Sequence, residues 1–73
     1  MKKNKRDITK TYSTTQIVTK LRRLADGLEA GKSFSVQIAG ERVRVPRGAR
    51  LSIEHERGKA EEEIEFQLSW NAE

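Results

Sequence analysis

The side chains in this 73-residue sequence with scope for chemistry are a single histidine, a run of glutamates and several clusters of lysine and arginine. His55 could act as a base or titrate near neutrality. It has no partner nucleophile or carboxylate constellation beyond the glutamates expected on a neighbouring strand, so it is assigned to the rim of a sheet rather than to a catalytic centre. Glu61, Glu62, Glu63 and Glu65 have the composition of a metal site or a general acid–base pair. Alternation along a strand sends Glu62 to the face opposite Glu61, Glu63 and Glu65, and the spacing matches no calcium loop. Solvation is the simpler account of the run. The loop Pro46 to Arg50, PRGAR, has a glycine and two arginines that suit a phosphate, but neither a helix start nor P-loop spacing follows it. With no cysteine there is no disulfide, thiolate metal site or cysteine nucleophile, and one histidine cannot build a zinc cluster. The residues thus argue against an enzyme, and no catalytic residue, cofactor or metal is expected.

Binding is the chemistry that survives. Lys2, Lys3, Lys5, Arg6 and Lys10 could join Lys20 and Arg23, or Arg47 and Arg50, in a surface that tracks phosphates. The chain has two Phe, one Tyr and one Trp, and most of these are needed inside. The outer sheet face then lacks the stacking aromatics of single-strand and RNA readers. Nucleic-acid binding would therefore be weak, electrostatic and sequence-tolerant. A macromolecular contact with protein is preferred to one with nucleic acid, and Glu54, Glu63 and Trp70 are the candidate residues. Trp70 lies in phase with Ile64, Phe66 and Leu68, which makes it a core residue with a partly exposed edge.

These residues must be positioned by a short chain of 34% hydrophobic and 36% charged residues, enough for one small domain. Nothing approaches the ~18 consecutive apolar residues of a membrane span, and the opening MKKNKR leads into polar sequence rather than an apolar signal core. A soluble, unprocessed, cytoplasmic protein is expected, with no membrane partner. The net charge of +4 conceals a split at Arg50: residues 1–50 hold 13 Lys/Arg and 4 Asp/Glu, a net of +9, while residues 51–73 hold 2 and 7, a net of −5. The two halves are suited to neutralise each other or to meet charged partners. Residues 1–6 read as a basic flexible tail and 7–73 as the domain.

Ser13 and Gln16 form a capping-box pattern. Ile17, Val18, Leu21, Leu24, Ala25 and Leu28 then recur at helical spacing, and Gly31 supplies a stop, which predicts a helix over Thr14 to Ala30. Beyond it the period changes to two. Phe34, Val36 and Ile38, then Val43 and Val45, Leu51 and Ile53, and Ile64, Phe66, Leu68 and Trp70 mark four half-buried strands. Two-residue turns at Gly40-Glu41 and Gly58-Lys59 would pair Ile38 with Val43, Val36 with Val45, Ile53 with Ile64 and Leu51 with Phe66. The connection Pro46 to Arg50 would set Val45 opposite Leu51 and Val43 opposite Ile53. Arg42 would then face Glu54 and Arg44 would lie beside Ser52, with like-charged pairs at Glu54–Glu63 and Glu56–Glu61. The expected fold is α+β: one helix packed on a four-stranded antiparallel meander, with Asp7 to Tyr12 as a short N-terminal edge strand. Only 25 residues are apolar and 6 of those are Ala, so the core is marginal and self-association into a homo-oligomer would add burial.

The helix KLRRLADGLEAGK, the strand ending VRVP, the segment RLSIEHE and the terminal IEFQLSW together resemble the amphi-Trp domain, a family of small prokaryotic proteins named for an amphipathic last strand that ends in Trp. The similarity covers roughly residues 8 to 70 and implies the domain without implying an activity. His55 departs from the apolar residue that the resemblance leads one to expect, which suggests weaker cover at the open end of the last hairpin.

Overall fold

The computed structural model describes residues 7–72. Helix α1 spans Thr14–Ala30, the limits its end signals require. Ser13 Oγ accepts from the Gln16 amide at 3.2 Å, and Gln16 Oε1 accepts from the Ser13 amide at 3.0 Å, so two otherwise unpartnered donors of the first turn are satisfied together. Gly31 closes the helix in the left-handed conformation at φ 71°, with its amide on the Leu28 carbonyl. The one buried helical residue is Gly27, because the Phe34 ring lies where a side chain would otherwise stand.

Strands β1 (Phe34–Ile38) and β2 (Glu41–Val45) form one antiparallel hairpin, and β3 (Arg50–Arg57) and β4 (Glu62–Ser69) form another. All four expected strands are present, but both registers lie two residues from expectation. In the first hairpin Phe34 faces Val45, Val36 faces Val43 and Ile38 faces Glu41. The turn is Ala39-Gly40, at φ 50° and 81°, and two successive positive φ values make it the type I′ kind whose twist suits a hairpin. In the second, Leu51 faces Leu68, Ile53 faces Phe66 and His55 faces Ile64. Four residues, Gly58 to Glu61, make the loop, closed by Gly58 N–H on the Glu61 carbonyl at 2.8 Å. The like-charged pairs are accordingly Glu54–Glu65 and Glu56–Glu63 rather than Glu54–Glu63 and Glu56–Glu61. A slip of two leaves every side chain on its original face, so the division into apolar and polar faces stands.

The larger correction concerns the sheet. The strands make two separate two-stranded sheets, not one four-stranded meander, and Val45–Leu51, Val43–Ile53 and Arg42–Glu54 are not paired. Pro46 to Ala49 turns a corner, held by a long 3.4 Å bond from Ala49 to the Pro46 carbonyl and by Gly48 at φ 86°. This corner sends β3 away from β2. Arg44 instead donates to Ser33 Oγ at 2.7 Å, and Arg42 faces Gln37 across the first hairpin. Nor do residues 7–12 form an edge strand. They are tied down by Tyr12, whose hydroxyl accepts from the Ala39 amide at 2.8 Å.

The helix packs against the first hairpin, and among the hydrophobic side chains of the described residues only Val36 and Val45, at 6% and 3% exposure, are buried. The second hairpin extends from this body and approaches the helix only at its base, where Leu28 lines a hollow with Leu51, Phe66 and Leu68; Leu51, Ile53, Ile64 and Phe66 stay exposed.

Candidate interaction surface

Period-two alternation gives the β3–β4 hairpin two unlike faces. One carries Leu51 and Ile53 on β3 against Leu68, Phe66 and Ile64 on β4, with His55, Arg57 and Glu62 at its far end. Leu51, Ile53, Ile64 and Phe66 are 56 to 66% exposed, although their phase marks them as interior. The helix stripe is also incompletely covered: Ile17, Val18, Leu21 and Leu28 are 39 to 44% exposed. A contiguous apolar face of this kind is characteristic of a surface that meets another molecule.

The other face carries Glu54 and Glu56 against Glu65 and Glu63, with Ser52 against Gln67. Gln67 bridges part of this array, donating from Nε2 to Glu54 at 3.2 Å and to Glu65 at 3.4 Å and accepting from Ser52 Oγ at 3.1 Å. The hydrogen bond with Glu54, then the negative charge of Glu63, hold the Glu65 carboxyl above its ordinary range. At the tip of the hairpin, His55 Nε2 and Arg57 Nε both meet Glu62 Oε2 at 2.9 Å. These bonds, His55 first, lower the Glu62 pKa. Glu62 is thus separated from Glu63 and Glu65, as alternation requires. Among the described residues no three His, Cys, Asp or Glu side chains converge as a metal site would need, and no helix is long and apolar enough to cross a membrane.

Glu54 and Glu63 share the acidic face, whereas Trp70 follows the end of β4 and is half-buried. The basic candidates divide similarly. Lys10 and Lys20 each place Nζ 5.1 Å from the Tyr12 ring centroid, a distance at which the ring face attracts a cation. Arg23, one turn beyond Lys20, donates from Nε to the Ser35 carbonyl at 3.1 Å. Lys20, Arg23 and Arg42 line a groove of ≈ 540 Å³ together with Thr19 and Gln37. Arg42 was hidden from sequence reasoning because the expected meander paired it with Glu54. Arg47 and Arg50 do not line that groove; Arg47 stands near the helix C-terminus beside Leu28 and Gly31. Lys2, Lys3, Lys5 and Arg6, and with them the expected tail of residues 1–6, lie outside the described residues.

A helix and two antiparallel hairpins, the second ending in an amphipathic strand that runs into Trp70, define a small α+β domain. The model of the Amphi-Trp domain matches residues 1–73; the chain belongs to this family, whose function is unknown. No curated protein and no solved structure matched the chain.

Proposed function

We propose that this protein is a non-catalytic interaction module of the cytoplasm, and that the apolar face of β3–β4 is its contact surface, with a protein rather than a nucleic acid as the partner. The observation that carries this reading is the exposure of Leu51, Ile53, Ile64 and Phe66 on one face of a regular hairpin. Each is a large side chain whose burial is worth about 1.5 to 3 kcal/mol, so a partner that covers four of them gains substantial apolar contact. The glutamates behind them keep the hairpin's other face hydrated and direct association to one side.

A solvent-borne paramagnetic probe tests the reading. Methyl signals of Leu51, Ile53 and Ile64 should broaden strongly in a sample whose mass is that of one chain, while Val36 and Val45 stay sharp. Protection of the methyls of all five residues in such a sample would mean that the hairpin packs internally, and the reading would fail.

A second reading is supported by the groove lined by Lys20, Arg23 and Arg42. It suits a polyanion held by charge alone, including weak sequence-tolerant nucleic-acid binding. Salt-sensitive amide shifts at these residues on adding a short DNA duplex or RNA strand would support it, and silence at low salt would dismiss it.

A further inference from the structure

The chain exposes 6907 Å², whereas a folded monomer of 8.4 kDa is expected to expose ~4,600 Å². Even an allowance of ~1,200 Å² for the seven residues outside the described range leaves an excess of ~1,100 Å² per chain. The radius of gyration is 14.0 Å, against ~11 Å for a compact domain of this length. Two chains that each hid this excess would bury ~2,200 Å² in total, at the lower end of the range of obligate homodimers.

From this area, and resting on the contact-module reading, we infer that the hairpin's partner is a second copy of this chain: β3–β4 of each copy covers the helix stripe and first hairpin of the other. The surfaces match in three respects. The apolar face of β3–β4 meets a helix whose own stripe, Ile17, Val18, Leu21 and Leu28, lacks full cover. Among the described residues strand β2 has an edge without a β partner, as does β3, and such edges are templates for pairing. Charge is complementary as well. Arg42 and Arg44 of β2 face away from the apolar side of their hairpin, as Glu54, Glu56, Glu63 and Glu65 do in theirs.

The antiparallel register that aligns the apolar faces sets Val43 opposite Ile53 and Val45 opposite Leu51 of the other copy. Arg42 then faces Glu54. The same four-stranded sheet that alternation predicts within one chain forms between two, an exchange that the Pro46 to Ala49 corner permits. Each copy contributes one hairpin to each sheet, so the assembly closes with twofold symmetry and leaves no hairpin uncovered.

The absence of cysteine makes the test clean. Full-length chains carrying Val43→Cys and Ile53→Cys are mixed and oxidised, and each is also oxidised alone. The expected result is a two-chain product that links position 43 to position 53 and forms efficiently only in the mixture. If instead the V43C/I53C double variant closes within a single chain and the mixture gives no hetero-product, the hairpin covers its own helix; both this inference and the contact-module reading are then overturned. If neither cross-link forms and the mass stays that of one chain, with Leu51 and Ile53 still open to the solvent probe, only the second-copy inference falls. Charge reversal provides a check that leaves the core intact. Arg42→Glu and Glu54→Arg should each weaken self-association by roughly two- to fivefold, and mixing the two should restore it. No recovery on mixing would refute the register.

Discussion

Replacing Gly27 by Ala tests how the helix is seated on the first hairpin. A Cβ at this position would lie 2.4, 2.5 and 2.6 Å from three carbons of the Phe34 ring, whereas carbon atoms pack at about 3.5 to 4.0 Å. The ring must therefore retreat by about 1 Å, or the helix must lift by as much. Phe34 is held in β1 opposite the buried Val45, so its ring cannot move as a free end would. Two effects of opposite sign compete. Alanine in a helix interior is favoured over glycine by about 1 kcal/mol, while overpacking costs about 1 to 3 kcal/mol. Three close contacts place the cost in the upper part of that range, so the net change is a loss of about 1 to 2 kcal/mol. For a domain this small each kcal/mol lowers the Tm by about 4 to 8 °C. Circular dichroism melts at one fixed protein concentration would read this, since any assembly makes stability depend on concentration. Ala25→Gly, on an exposed helical position, calibrates the propensity effect alone. A Gly27→Ala protein more stable than the parent by about 1 kcal/mol would show that nothing occupies the site, and the seating of the helix on Phe34 would be refuted.

Other outcomes follow from local geometry. Ser13→Ala removes the side-chain half of the capping box, the hydroxyl that accepts from the Gln16 amide, and should cost about 1 kcal/mol, read as a lower midpoint in urea and frayed amide signals at residues 14–16. Ala39→Asn should stabilise by a few tenths of a kcal/mol up to about 1 kcal/mol, because Ala39 sits at φ 50° before Gly40 and Asn-Gly is the favoured type I′ pair; a lower Tm would count against that turn. The carboxylates behave oppositely with pH. Glu62, whose pKa is lowered by His55 and then Arg57, adds stability above the ordinary carboxylate range and loses it as pH falls through the lowered value. Glu65, raised by Glu54 and Glu63, contributes only at acidic pH and loses that contribution as pH rises through its own value. Carbon-detected titration should therefore show Glu65 ionising after Glu62, and Glu65→Gln should be neutral or stabilising at pH 7. The reverse order of titration would contradict the arrangement of the hairpin.

The parts of the fold that were legible in the sequence depend on neighbours within a few residues. The helix limits follow from Ser13, Gln16 and Gly31, and the strands follow from alternation. Register was less accessible, since a period of two fixes which face a residue occupies but not which residue it opposes. The turns decide that, and Ala39 adopting a positive φ is not announced by its type. The closure of β2 against β3 depended on how Pro46 to Ala49 bends, which four residues of sequence leave open. That one bend separates an interior Ile53 from an exposed one. The acidic face was visible from alternation alone, and the convergence of Lys20 and Arg23 was anticipated. The addition of Arg42 to them was not, because it requires the two sheets to be apart.

Sedimentation equilibrium of the unmodified chain from ~1 μM to ~1 mM, spanning the affinities expected of specific contacts, tests most directly whether the β3–β4 face is completed by another molecule. The account predicts the mass of two chains over most of that range, with Leu51, Ile53 and Ile64 protected from solvent only in the dimer. A single-chain mass throughout, with those same methyls already shielded, would contradict it.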